Sequence, residues 1–204
     1  MKKSLPVILF GIYLAECILL AFHPVSRTTW WAENITVWLI VAPIVWLYLR
    51  GIRFSNTAYM FMSVLIYLHT IGGHYTFSEV PFGWITEFIG AERNHFDRLA
   101  HFTVGFYAFP ILEFIESRRL SRNRTFSLVF ALAVIFAVAG LFEIIEWLYA
   151  ACSDPVAGVE FLGSQGDIWD AQKDMLADGL GAVVACAVYH RMHRRRFPDP
   201  LPSL

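Results

Sequence analysis

Four aspartates near the C-terminus repeat at a spacing that places them on one side of a helix. Asp167, Asp170, Asp174 and Asp178 are separated by three, four and four residues. At about 100° and 1.5 Å per residue they form a stripe roughly 80° wide and roughly 16 Å long. The helix macrodipole explains an Asp at a helix start, which accounts for Asp167 and Asp170. Asp174 and Asp178 lie too far along the helix for that explanation, so we predict a functional or metal-binding role for them.

Two other segments carry acidic and imidazole groups at helical spacing. Asp97 and His101 are four residues apart, a spacing at which a carboxylate can orient an imidazole or both can bind one ion. The alternative is a helix cap at Asp97 and a buried, hydrogen-bonded His101. Glu143 and Glu146 are three residues apart inside an apolar segment, where a pair of glutamates rarely serves packing alone.

His69 and His74 bracket the pair Gly72 and Gly73. Five residues apart on an ideal helix, the two imidazoles diverge by about 140°. A break at the glycine pair would let both face one point. We take His74 as a candidate ligand, and an interior histidine satisfied by a hydrogen bond is the equal alternative for either residue.

The candidate site is strongly acidic. Its predicted members are Asp97, His101, Glu143, Glu146, Asp170, Asp174, Asp178 and His74. Like charges within a few ångströms cannot all stay ionised in a partly dehydrated region, so either some carboxyls are protonated or a cation is bound. Carboxylates mixed with imidazoles suit zinc, manganese or iron, and an all-carboxylate subset suits magnesium or calcium.

The elements that position these residues are apolar. The chain has 204 residues, of which 57% are apolar and 16% charged, with a net charge of −1, and its mean hydropathy is +0.52. Soluble domains carry about 25% charged residues, so this composition excludes a water-exposed globule and a disordered chain. We predict a single all-α, multi-pass integral membrane domain over residues 1–204 in a lipid bilayer, with no nucleic-acid partner.

Six apolar runs are long enough to be considered as spans of a hydrocarbon core of about 30 Å, which takes about 20 helical residues. They cover residues 5–22, 35–49, 57–74, 99–115, 126–150 and 175–190, and the second could begin earlier, at Trp30 to Asn34. We therefore predict a bundle of six transmembrane helices.

The cations predict the orientation of this bundle, because Lys and Arg in short loops stay on the cytoplasmic side. With six spans, most fall on one side: Lys2, Lys3, Arg50, Arg53, Arg118, Arg119, Arg122, Arg124, Arg191, Arg194, Arg195 and Arg196. Both termini are then cytoplasmic, and the acidic site opens to the periplasmic side of a bacterial inner membrane. The loop containing Trp84 and Phe88 is expected to lie on the outer membrane surface as an amphipathic segment or to cap the bundle as an ordered loop.

Three segments carry a resemblance to known families. They are HFDRLAHF at 95–102, FEIIEW at 142–147 and GDIWDAQKDMLADGLG at 166–181. They resemble the uncharacterised bacterial inner-membrane family typified by YjdF, over essentially the full chain. The last three spans are more distantly similar to VanZ-like proteins, with Glu146 and Asp178 where that pattern has Gln and Asn. The first resemblance implies no particular activity, and the second implies a role in the cell envelope.

Three functions fit these patterns. The first is metal-dependent chemistry on an envelope lipid or amphiphile, in which the metal activates a water or polarises a phosphoryl oxygen. The second is a small proton-coupled transporter, in which the carboxyls take up and release protons. The third is a non-catalytic membrane interaction protein whose acids only bond helices together. The residues leave open whether the protein is an enzyme, whether it binds a divalent metal ion and which one, and its oligomeric state.

Overall fold

The computed structural model describes residues 4–88 and 90–193, and all regular elements within them are helical. The helices are α1 (Ser4–Leu20), α2 (Arg27–Leu49), α3 (Asn56–Tyr75), α4 (Gly83–Phe88), α5 (Phe96–Val104), α6 (Ala108–Ser117), α7 (Arg124–Cys152), α8 (Pro155–Leu162) and α9 (Asp170–Met192). Lys2, Lys3 and Arg194 to Arg196, on which part of the predicted orientation depends, lie outside the described residues. The predicted all-α class is confirmed for the part of the chain that the structure describes.

Each predicted apolar run corresponds to a helix or a helix pair. Among the described residues, α2 and α7 are long and apolar enough to cross a membrane by length and composition, and α1 is apolar but shorter. In the second run the helix begins at Arg27, ahead of Trp30, and Ser26 caps it by accepting a hydrogen bond from the backbone N–H of Thr29. The six-span arrangement stays a prediction.

The fourth run is divided, where a single helix was expected. A 3₁₀ turn at Gly105–Tyr107 separates α5 from α6. Pro110 follows within α6, and its ring cannot tolerate an α-helical carbonyl four residues earlier, at Phe106. The tighter turn avoids that conflict while the chain continues in nearly the same direction.

Large apolar side chains cover much of the outside of the bundle. On α7, the side chains of Val129, Leu141 and Ile144 are exposed, and few residues of this helix are buried. A long helix that presents large apolar groups outward is suited to lipid. In the loop between α3 and α5, the short helix α4 has no buried residue, and its Trp84 and Phe88 are exposed.

The crossing of α5 and α9 is the closest helix contact near the acidic residues. A Cβ atom on Gly181 would overlap the carbonyl oxygen of Phe102, and one on Gly105 would overlap the backbone of α9 at Ala182. Glycines at such positions let two backbones approach directly. The crossing therefore holds α5 and α9 face to face.

We expect Gly181→Ala to destabilise the protein, because its Cβ would meet a backbone atom that cannot move aside. Overpacking of this kind lowers the free energy of unfolding by about 1–3 kcal/mol. The measurement is thermal unfolding in detergent. Gly140→Ala is the matched control, since its Cβ would lie 3.8 Å from the flexible Met175 sulfur. Equal melting temperatures for the two variants would contradict this interpretation of the crossing.

Candidate functional site

Arg98 joins three of the four aspartates of the predicted stripe. Its Nη2 lies 3.0 Å from Asp167 Oδ2 and 2.7 Å from Asp170 Oδ1, and its Nε lies 3.1 Å from Asp174 Oδ1. These contacts are charge-assisted hydrogen bonds between α5 and the start of α9. They fix the stripe against α5 at the end of the bundle where α5 and α9 begin, which we call its outer end.

Two further cations neutralise the outermost acids. Arg93 Nη1 lies 2.5 Å from Asp170 Oδ1, and Lys173 Nζ lies 2.7 Å from Asp167 Oδ2. Arg93 also donates to the carbonyl oxygen of Ser164, at 3.1 Å. Asp167 and Asp170 therefore have their charges met by protein groups, and they tie the two outer loops together.

The inner acids surround His101. Its Nδ1 lies 3.3 Å from Asp178 Oδ1, and its Nε2 lies 3.7 Å from Asp97 Oδ1. Asp178 is fully buried, at 0% exposure, and Asp174 is 3% exposed. Asp97, His101 and Asp174 each place one possible ligand atom within 4.8 Å of the others. Side chains from α5 and α9 thus converge on one point.

A second acid–imidazole pair lies across the same space. Glu33 Oε2 of α2 is 2.8 Å from His69 Nε2 of α3, and both side chains are buried. A close approach of the two helices allows this contact, since a Cβ on Gly73 would lie only 2.8 Å from the Glu33 Cβ. The pair adds one more carboxyl to the region.

The glutamates of α7 complete the group. Glu146 lines the same cavity as Asp97 and His101. Glu143 has a buried Oε1 with no hydrogen-bond partner among the described residues, and it lies within electrostatic range of His101 and Asp174. Buried carboxyl oxygens in proteins usually have a hydrogen-bond partner, so this side chain adds a further carboxyl to the group.

Carboxyls outnumber cations in this site. The carboxyls are those of Glu33, Asp97, Glu143, Glu146, Asp167, Asp170, Asp174 and Asp178, whereas Arg93, Arg98 and Lys173 are the permanent cations that contact them. Even with His69 and His101 both protonated, negative charge remains in excess. The permanent cations contact mainly the outer acids Asp167 and Asp170. Among the described residues, Asp174 is the one inner acid that such a cation contacts, so the excess lies with the inner acids.

An elongated cavity of about 210 Å³ extends from the inner acids into the bundle. Its polar end is formed by Glu33, His69, Asp97, His101, Glu146 and Asp178. Apolar side chains line the remainder, including Val134 and Ile135 of α7 and Ile111 of α6. The site therefore has two parts, a polar end at the inner acids and an apolar part, which we call the slot, lined by residues such as Ile111, Val134 and Ile135.

His74 does not join the other candidate residues. Helix α3 runs unbroken through Gly72 and Gly73 to Tyr75, so the two histidines keep their divergence. His74 Nδ1 lies 2.8 Å from the carbonyl oxygen of Leu20, and His69 is the histidine that faces the cavity. The structure thus places His74 apart from the other candidate ligands, and its contact is the one expected for the alternative, a hydrogen-bonded interior histidine.

Sequence reasoning missed Glu33 and Arg93. The available signal for Glu33 was its place in the early extension of the second apolar run, where an acid needs a partner. Arg93 gave no such signal, because its contacts depend on how the two outer loops meet. Of the predicted residues, the structure brings together Asp97, His101, Asp174 and Asp178, with Glu143 and Glu146 beside them and Asp170 at the outer edge.

Comparison with known proteins agrees with this description. Residues 5–195 match the family described as "Predicted membrane protein (DUF2238)". The chain belongs to this family. It is 33% identical over 204 residues to the inner membrane protein YjdF of Escherichia coli (strain K12), an alignment that covers 94% of this chain and 95% of the relative. No solved structure matches the chain.

Membership of the DUF2238 family confirms two predictions from the sequence. The resemblance to the family typified by YjdF is confirmed, and so is the location in a bacterial inner membrane. The more distant similarity to VanZ-like proteins stays a prediction. The family description specifies a membrane protein without an activity.

Asp167 lies in the outer loop, before α9 begins, and its ion pairs affect its titration. Hydrogen bonds from Lys173 and then Arg98 hold the pKa of this carboxyl well below its usual range. A carboxyl with a depressed pKa in the folded state adds stability above its unfolded pKa of about 3.9. That contribution is lost as the pH falls through the lower pKa of the folded state.

We expect Asp167→Asn to be less stable than the wild type near neutral pH. The difference in stability should narrow below about pH 4, where Asp167 of the unfolded chain becomes protonated while that of the folded protein stays ionised. The measurement is the melting temperature in detergent as a function of pH. Lys173→Gln, which removes the main cause of the depressed pKa, should reduce the same pH-dependent difference. A difference that stays constant down to about pH 2 would contradict this role for Asp167.

Proposed function

We propose that Asp97, His101 and Asp174 bind a divalent metal ion, which the protein uses in chemistry on an envelope amphiphile. The observation that carries the proposal is the approach of their three ligand atoms to within 4.8 Å of one another. They approach in a buried region where carboxyls exceed cations. A bound cation would convert the repulsion among the inner acids into binding energy.

The donor set suits a transition metal. Two carboxylate oxygens and one imidazole nitrogen are ligands that zinc, manganese and iron accept. His101 Nε2 faces Asp97, whereas its Nδ1 faces Asp178. A carboxylate on the second imidazole nitrogen commonly fixes the orientation of a metal-binding histidine. We assign that positioning role to Asp178 and the ligand role to Nε2.

Neighbouring residues have distinct roles in this proposal. A bound divalent ion would activate a water molecule or polarise a phosphoryl oxygen. We assign to Glu143, which lies within electrostatic range of His101 and Asp174, the role of accepting a proton from an attacking water. Arg98 bonds Asp174 through Oδ1 and thereby holds this ligand in position.

The proposed site faces the periplasm. Several arginines lie at or beside the helix ends that are farthest along each helix from the acidic residues, namely the end of α2, the start of α3, the end of α6 and the start of α7. They are Arg50, Arg53, Arg118, Arg119, Arg122 and Arg124. Cations of this kind favour the cytoplasmic side. The substrate would then come from the outer leaflet of the inner membrane.

Metal content of the purified protein tests the proposal. We expect about one equivalent of transition metal in the wild type, and a loss of at least about tenfold in affinity for His101→Ala and Asp97→Asn, which remove one ligand each. His74→Ala is the matched control, because His74 contacts Leu20 and is not directed into the site. Elemental analysis after equilibration with zinc or manganese gives the result.

Either of two results would overturn the metal proposal. One is a wild-type protein that holds no metal at any tested concentration, and the other is equal loss of metal from His74→Ala and His101→Ala. The first result would leave protonation as the way to balance the inner acids. It would therefore favour the second candidate, a proton-coupled transporter that uses the buried Glu33 and His69 pair. That function requires proton-gradient-dependent solute flux in proteoliposomes.

A further inference from the structure

The cavity beneath the acidic cluster has the shape and polarity of a hydrocarbon chain site. Its lining on α7 extends from Glu146 at the polar end to Val134 at the apolar end. The two residues are twelve helical steps apart, which corresponds to about 18 Å, more than half of a hydrocarbon core of about 30 Å. The slot therefore runs along the bundle from the outer end toward its middle.

The slot has a side opening between α2 and α7. Both helices line the cavity, through Thr36 and Ile40 on one side and Val134 and Val138 on the other. Yet α2 packs on α3 and α8, and makes no extended contact with α7 among the described residues. Val138 lines the cavity and is still 50% exposed, so the slot reaches the lipid-facing surface at this position.

Helix α8 closes the opening on the outer side. It packs against both α2 and α7, and its Phe161 lines the cavity. Thr29 of α2 and Glu160 of α8 approach to 3.4 Å through Oγ1 and Oε2. A ligand would therefore enter the slot from the bilayer, through the opening between α2 and α7, and not from the aqueous side that α8 covers.

We propose that the slot binds the hydrocarbon chain of a single-chain amphiphile, which enters from the bilayer between α2 and α7. This inference rests on the proposed function, and it names the substrate class of the same site. The chain lies against Ile111, Val134 and Ile135, and the head group lies beside Asp97 and His101. Since the inner acids repel an anion unless a metal is bound, a phosphate head group would bind through the metal.

A photoactivatable alkyl phosphate tests the slot. The probe is dodecyl phosphate with a diazirine near the end of its chain, added to full-length protein in nanodiscs with zinc present. We expect the label on α6 and α7 near Ile111 and Val134. Ala139 is buried and lines the slot, so the ring of Ala139→Phe would displace about two methylene groups of the bound chain. Loss of their burial should lower this labelling about tenfold.

Two further variants separate a filled slot from a damaged fold. Ala137→Phe is the matched control, because Ala137 is exposed on the same helix, and it should label as the wild type does. Val138→Trp narrows the opening at a half-exposed position and should also lower labelling. Equal labelling of the wild type, Ala139→Phe and Val138→Trp, or a label confined to the outside of the bundle, would overturn the inference.

The same preparations distinguish failure of the slot from failure of the metal site. Zinc content is measured in each sample, and it should be equal in the wild type, Ala139→Phe and Ala137→Phe. Metal without slot-dependent labelling would refute the chain site and leave the metal proposal standing. Slot-dependent labelling in a wild type that holds no metal would refute the metal proposal and retain the chain site.

Discussion

Excess negative charge in a space shielded from water is the constraint on which this structure depends. Asp178 and Asp174 are almost inaccessible, and Glu33 is buried opposite them. A buried carboxylate without a counter-charge costs several kcal/mol. The protein meets part of this cost with Arg93, Arg98 and the histidines, and the remainder calls for a proton or a cation at the inner acids.

The fold places these acids together by two kinds of contact. Glycines at the crossing of α5 and α9 let the backbones touch, so Asp97 and His101 of α5 meet the aspartates of α9. Outside this crossing, the contacts of Arg93 tie the loops before α5 and α9 to one another. The inner half of the site is thus left rich in carboxyls, and it opens on an apolar slot rather than on solvent.

Much of this arrangement could be predicted from the sequence, because helical spacing is a local property. The spacing of Asp97 and His101 and that of Asp174 and Asp178 indicated which side chains share a face, and apolar runs located the helices. Glu33 was missed because hydropathy alone starts the second run at residue 35, after this acidic side chain. The contact with His69, which makes the buried position of Glu33 tolerable, is not visible in the sequence. His74 lies apart from the other candidates because the glycines before it do not break α3. Gly73 instead allows the close approach of Glu33. Such outcomes depend on tertiary contacts that spacing does not encode.

The most direct test of a cation among the inner acids is pulsed electron paramagnetic resonance of the purified protein loaded with Mn²⁺. The account predicts electron spin echo modulation from one directly coordinated histidine nitrogen, and its disappearance in the His101→Ala variant. Bound manganese without any histidine nitrogen coupling, or coupling that persists in that variant, would contradict the account.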